Sequence, residues 1–316
     1  MKNILVLVPT DDAVRARLRA VGDSDIVFAD EENISDECIR LADAIIGEPP
    51  DKQLRLAKSL KWLQLTWAGA DRYAFMPELE DSVTLTNASG AFGGIISEYI
   101  VGAAICHFRR FFEYRDLQKS HVWQKLRGSS LAGRRALILG AGDIGSATAR
   151  RLRIFGVHTV GLRRKSGRPN PDFDEIHTIT ALDTLIGDAD IIIGCLPGTP
   201  ETAGLITPHR LSLMKPESLF VNVGRGSLVS CADLAAALAN GRPGGAVIDV
   251  ADTEPIPADS PLWWMENVMI TPHIAGPSFG GDDTVTGIIW DICEENLRRF
   301  ADGRELLHSV DRTLGY

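Results

Sequence analysis

Basic residues are scarce relative to acidic ones: 33 Lys and Arg stand against 42 Asp and Glu, a formal net charge of −9 over 316 residues. Phosphate backbones are held by concentrated Lys and Arg, so this balance excludes a non-specific nucleic-acid binder. Cysteine is sparse as well. Cys38, Cys106, Cys195, Cys231 and Cys293 are scattered, odd in number and form no C-x-x-C pair. They suit reduced thiols in a cytoplasmic protein, and they indicate neither a disulfide frame nor a metal site. Long apolar runs are missing too. No stretch reaches the ~18 residues of a membrane span. The N-terminal run Ile4-Leu5-Val6-Leu7-Val8 ends at Pro9 and Asp11-Asp12, too early for a signal-peptide core. With 45% apolar and 24% charged residues, and no tandem repeat or low-complexity tract, disorder, fibres and coiled coils are also excluded.

What the chain does contain is an alternation of short apolar runs with helical patterns. Strands are predicted at 4–8, 26–29, 44–46, 62–65 and 83–86, with amphipathic stretches such as 12–21 and 51–60 between them. The rhythm breaks at Ser89-Gly90-Ala91-Phe92-Gly93-Gly94, where a long helical pattern runs from about Ile95 to Lys119. A second series follows, with strands at 135–139, 158–162, 190–195, 218–223, 246–250 and 268–271. Their near-continuous apolar character is what a parallel sheet covered on both faces requires. After Pro277-Ser278-Phe279-Gly280-Gly281 a last helix extends to about Asp302. The economical reading is two α/β units of doubly wound parallel sheet.

Gly140-Ala141-Gly142-Asp143-Ile144-Gly145 directly follows the strand Ala136-Leu137-Ile138-Leu139 and opens a helix. In that setting G-x-G-x-x-G is a dinucleotide fingerprint. Gly140 permits the tight turn, Gly142 lets the backbone approach a pyrophosphate, and Gly145 lets helix and strand pack closely. The amides and dipole at the helix start then hold the anion. An NAD site places an acid at the end of the next strand. Here that place reads Leu162-Arg163-Arg164-Lys165-Ser166, and from Ile144 to Pro171 seven Lys or Arg occur without a single Asp or Glu. A guanidinium at this tip suits a 2′-phosphate, so NADP(H) is expected over NAD(H).

Three later strands end in polar residues, at the edge where open α/β sheets bind ligands. They are Asn222-Val223-Gly224-Arg225-Gly226, Asp249-Val250-Ala251-Asp252-Thr253-Glu254-Pro255, and Thr271-Pro272-His273-Ile274-Ala275-Gly276. Arg225 carries a planar fork suited to a carboxylate. Each segment taken alone is compatible with an ordinary surface ion pair or a structural histidine.

In this order after this fingerprint, the segments resemble the D-isomer-specific 2-hydroxyacid dehydrogenase family. The likeness extends to Gln64-Leu65-Thr66-Trp67-Ala68-Gly69-Ala70-Asp71 and to Leu196-Pro197-Gly198-Thr199-Pro200-Glu201-Thr202, and it looks nearest to the glyoxylate and hydroxypyruvate reductase branch. The resemblance implies reduction of a 2-oxo acid to the D-2-hydroxy acid. Arg225 would anchor the substrate, His273 would be the acid/base, and Glu254 would pair with its imidazole. Negative charge builds on the carbonyl oxygen as hydride reaches C2, so a proton donor and a cation must face it. A carboxylate beside an imidazole favours the protonated ring.

The resemblance further places Trp67, Ala68, Gly69 and Ala70 on the substrate. It puts Leu196, Pro197, Thr202 and Val223 along the cofactor groove and Asp249 on the nicotinamide carboxamide. The family's usual NAD-selecting Asp aligns with Arg163, and Ala251 stands where the family commonly has an aromatic. A Rossmann cofactor domain, 95–281, would be inserted into a flavodoxin-like substrate domain formed by 1–94 and 282–316. Gly93-Gly94 and Pro277–Gly281 would be the hinges and the long helix the core of a homodimer. The family also holds corepressors, which sense dinucleotides without catalysis, and formate dehydrogenases, which carry Gln where Glu254 stands.

Overall fold

The computed structural model describes residues 2–22, 24–29, 34–165, 167, 169–277 and 279–316. Ser166 and Arg168, beyond the predicted strand tip, and Ser278, at the second predicted hinge, lie outside the described residues. The chain divides into two compact units, Met1–Phe92 with Pro277–Tyr316, and Gly93–Gly276. Both divisions fall slightly before the predicted ones. At the first, Gly93 already opens the helix Gly93–Phe108.

In the first unit the apolar runs become five parallel strands: β1 (Lys2–Val6), β2 (Ser24–Phe28), β3 (Ala44–Ile46), β4 (Trp62–Gln64) and β5 (Thr84–Thr86). Their order is β2-β1-β3-β4-β5, the flavodoxin-like arrangement. Leu5, Ile45, Leu63 and Leu85 fill the core with Ile39, Leu54 and Tyr73 from the connecting segments. The predicted helix 51–60 is only the turn Asp51–Leu54.

The helix Asp283–Asp302 belongs to this unit. Asp282 caps its start and Gly303, in the left-handed region, ends it. It buries Val285, Ile289, Trp290, Cys293 and Leu297. Buried Asn296 donates to Gln64 Oε1 at 2.8 Å, and Gln64 in turn accepts from Thr86, which accepts from the Trp62 indole. A buried polar chain therefore ties the helix to β4 and β5. The tail then pairs Ser309 antiparallel with Thr86, covering the edge of β5.

The second unit holds seven parallel strands: β6 (Arg135–Leu139), β7 (His158–Arg163), β8 (Glu175–Thr178), β9 (Ile191–Gly194), β10 (Leu219–Asn222), β11 (Gly245–Ile248) and β12 (Val268–Ile270). Their order is β12-β11-β10-β9-β6-β7-β8, so successive strands are added in opposite directions on either side of the β6–β9 pair. That switch point is where a doubly wound sheet opens its ligand crevice. β9, β10 and β11 are buried at every position, as their sequences require.

Two elements of the second unit differ from the sequence reading. Strand β8, Glu-Ile-His-Thr, was not anticipated. It lies at the sheet edge with every residue half-buried, so it carries no apolar run. The long helical pattern is two helices, Gly93–Phe108 and Phe111–Lys119, separated by Arg110 at φ 58°. The carbonyl of Phe108 accepts from Ser129 N–H on the returning chain instead of continuing the helix. The first of these helices packs along the fingerprint helix Asp143–Ile154.

Candidate active site

The fingerprint turn sits at the carboxyl end of β6. Gly140 has φ 112°, and a Cβ there would lie 2.8 Å from the Cys195 carbonyl oxygen. A Cβ on Gly145 would collide with the Gly140 carbonyl. Around Gly142 nothing would meet a Cβ within 4 Å. Two glycines are thus demanded by the protein's own backbone, while Gly142 faces open space. Gly142 caps the helix Asp143–Ile154 without a side-chain hydrogen bond, leaving first-turn N–H groups for an anion. These features fit a dinucleotide pyrophosphate.

Other predicted cofactor residues have definite places. The Asp143 carboxylate accepts from Gly93 N–H at 3.0 Å, at the start of the long helix, and Ile144 lies half-buried in the same turn. Arg163 closes β7 and donates to the Gly167 carbonyl, Arg164 lies 3.9 Å from Glu201, and Lys165 is exposed. Leu196 and Pro197 follow β9, and Thr202 Oγ1 donates to the Pro197 carbonyl, closing that loop. Val223 is buried directly after β10. The Cys195 thiol beside the turn is pushed up to about 12 by burial, so it stays protonated.

Strands β10, β11 and β12 bring the three polar segments to one edge. Arg225 is half-buried, and its Nη1 donates to the Gly224 carbonyl at 2.9 Å. The flanking glycines have a backbone cause. A Cβ on Gly224 would lie 2.7 Å from the Leu196 carbonyl, and one on Gly226 would overlap the Ala251 carbonyl. The turn is braced by the fully buried Asn222, to which the sequence reading gave no role. Its Nδ2 donates to the Arg225 carbonyl and its Oδ1 accepts from Gly224 N–H. An amide inside an otherwise apolar predicted strand was the available signal.

His273 Nδ1 lies 3.0 Å from Glu254 Oε2, and Glu254 Oε1 accepts from Ala251 N–H at 3.0 Å. The two side chains are 53% and 42% exposed, so the pair is open to a ligand. The bond to Nδ1 fixes the ring and leaves Nε2 on its far side for proton transfer. His273 itself adopts φ 57°, a conformation that costs a side-chain-bearing residue stability.

Asp249 is 3% exposed and supports this bend. Its Oδ1 accepts from Thr271 Oγ1 at 2.6 Å and Ile274 N–H at 2.8 Å, and its Oδ2 accepts from Ala275 N–H at 3.0 Å. Its carbonyl also accepts from His273 N–H. The carboxylate that the resemblance assigns to the nicotinamide thus holds the histidine loop.

In the first unit, Trp67 is exposed after β4 and Ala70 is buried. The Trp67 carbonyl accepts from Ala88 N–H and the Ala68 carbonyl from Asn87 Nδ2, which sets the loop through Gly69. Thr66, just before it, is held through both N–H and hydroxyl by the buried Glu48 carboxylate, a support the sequence did not reveal.

Residues 101–275 match the family model described as "D-isomer specific 2-hydroxyacid dehydrogenase, NAD binding domain". The chain is 30% identical over 279 residues to glyoxylate/hydroxypyruvate reductase A of Escherichia fergusonii, covering 86% of this chain and 87% of the relative. It is similar to a D-isomer specific 2-hydroxyacid dehydrogenase family protein from Aeromonas salmonicida, at 34% identity and TM-score 0.86, covering 98% and 99% of the two chains. An NADPH-dependent glyoxylate/hydroxypyruvate reductase from Sinorhizobium meliloti, solved with NADP and sulfate, matches at 27% identity and TM-score 0.85 over 100% of both chains.

Proposed function

The chain belongs to the D-isomer specific 2-hydroxyacid dehydrogenase family, and from that premise we propose that it reduces a small 2-oxo acid to the D-2-hydroxy acid with NADPH. The observation that carries the reading is the His273–Glu254 pair, with its ring fixed through Nδ1 at the edge where β10, β11 and β12 end. When bound, the nicotinamide supplies a hydride to C2 of the acid. The carbonyl π pair becomes an oxygen lone pair and takes a proton from His273 Nε2, which water later replaces. Arg225 steadies the substrate carboxylate and the charge on the oxygen. Trp67, Ala68, Gly69 and Ala70 supply the substrate-binding loop of the other domain.

NADPH preference is supported by the basic tip Arg163-Arg164-Lys165 and by the Sinorhizobium relative solved with NADP. The unit Gly93–Gly276 would hold the cofactor, and the unit of Met1–Phe92 with Pro277–Tyr316 would carry the substrate loop. We also assign a cytoplasmic homodimer. All five cysteines are free thiols, and Phe111, Tyr114, Val122 and Trp123 expose apolar surface on and just after the helix Phe111–Lys119, Trp123 fully. The test is a rate panel of NADPH and NADH against a series of 2-oxo acids including glyoxylate, hydroxypyruvate and pyruvate. Consumption of NADPH with at least one acid is expected; inertness toward the whole series would overturn the reading.

A further inference from the structure

A histidine that delivers a proton must be held in one place, yet His273 sits at φ 57°, where a residue with a side chain does not rest by preference. Its loop is fixed by Asp249, whose carboxylate takes Ile274 N–H, Ala275 N–H and the Thr271 hydroxyl. The chain of bonds does not stop there. Thr271 Oγ1 lies 2.7 Å from the hydroxyl of Tyr99, on the helix Gly93–Phe108. The directions follow from chemistry. A carboxylate only accepts, so Thr271 spends its one hydroxyl proton on Asp249 and must accept from Tyr99.

We propose that Tyr99 and Thr271 are positioning residues for His273, acting through Asp249 as a hydrogen-bond relay from the long helix to the catalytic bend. The inference rests on the reading of His273 as proton donor. Burial pushes the Tyr99 phenol up to about 12, with the Asp249 charge acting the same way. The phenol therefore remains a donor throughout the neutral range. Neither residue touches the imidazole through a described hydrogen bond. Thr271 fills an acceptor site of Asp249, Tyr99 fixes the Thr271 hydroxyl in that orientation, and together they stop the loop from relaxing out of its left-handed bend.

This geometry separates rate from cofactor affinity. Loosening the bend misplaces Nε2 and slows proton delivery, while the fingerprint turn and the basic tip are unchanged. The experiment compares Thr271→Val, Thr271→Ser, Tyr99→Phe and His273→Gln in the full-length protein. The readouts are kcat, KM for NADPH, the solvent deuterium isotope effect on kcat, and thermal unfolding. Thr271→Val is expected to lower kcat about tenfold or more and Tyr99→Phe about threefold. KM for NADPH should stay within about twofold and the isotope effect should rise, because only proton delivery is disturbed. Thr271→Ser keeps the hydroxyl and should restore near-normal kcat. If Thr271→Val does not fold, Tyr99→Phe and the serine variant decide the matter. Normal kcat and isotope effect in Tyr99→Phe, beside an inactive His273→Gln, would overturn the relay alone. Retained turnover in His273→Gln would overturn the acid/base reading, and the inference with it.

Discussion

The carbonyl oxygen of Gly140 occupies the space that a side chain on Gly145 would need. The fingerprint helix therefore meets its own turn backbone to backbone. Gly145→Ala should cost about 1–3 kcal/mol through overpacking. At about 2–4 °C per kcal/mol, thermal unfolding will show it as a lowered Tm. Gly142→Ala is the contrasting case. Its Cβ would meet nothing within 4 Å, so Tm should hold without cofactor while NADPH titration shows weakened binding. Equal behaviour of the two variants would contradict this division of labour.

His273→Gln should lower kcat about 10²–10⁴-fold with little change in NADPH binding, since only proton transfer is lost. Glu254→Gln keeps a partner for Nδ1 but removes the charge, and a smaller loss of about tenfold or more is expected. Steady-state rates together with cofactor titration test both.

Arg163→Asp at the end of β7 should weaken NADPH use specifically and shift the ratio of kcat/KM toward NADH. The guanidinium that suits a 2′-phosphate is replaced by an acid that suits the ribose hydroxyls. An unchanged ratio would place the 2′-phosphate elsewhere.

At the other end of the cofactor sheet, Glu175 on β8 accepts from His177 at 2.9 Å, His158 at 2.7 Å and Arg135 at 3.1 Å. The hydrogen bond with His177, then that with His158, with the nearby Arg135 charge also contributing, lowers its carboxyl to about 2 from 4.5. A depressed carboxyl stabilises the fold above the unfolded value and loses that effect as pH falls from 4.5 toward 2. The side chain is 36% exposed, so solvent screening limits the effect to about 1 kcal/mol. Denaturation of wild type and Glu175→Gln should differ at neutral pH and converge on acidification across that window. A gap that widens instead would reverse the sign.

Trp123 is fully exposed beyond the helix Phe111–Lys119. If it is covered by a second copy of the chain, Trp123→Ser should raise the dissociation constant of the dimer in sedimentation. A monomeric wild type, or a variant dimerising as tightly, would remove the support that this residue lends the dimer.

The parallel strands were legible because β9, β10 and β11 are covered on both faces and must be apolar throughout. The fingerprint was legible because the steric demands on Gly140 and Gly145 tolerate almost no substitute. Strand β8 was not, since an edge strand of half-buried Glu, Ile, His and Thr has the composition of a loop. The break at Arg110 was hidden for a different reason. No glycine or proline marks it; the cause is Ser129, far along the chain, taking the Phe108 carbonyl. Among the residues proposed for function, Arg225, Glu254 and His273 stood out by residue type beyond the ends of apolar strands. Asn222, Glu48, Thr271 and Tyr99 did not, because each acts through contacts that exist only once distant segments have folded together.

The split of the first unit has a consequence for biosynthesis. Its strands β1 to β5 emerge from the ribosome early, but Asn296 and the Ser309 pairing that complete the sheet follow only after all of Gly93–Gly276. At about 5–20 residues per second, that delay is on the order of ten seconds or more. The unit Gly93–Gly276 can fold within it, while the five-stranded N-terminal sheet waits with the edge of β5 uncovered. That segment is where a chaperone would be needed most.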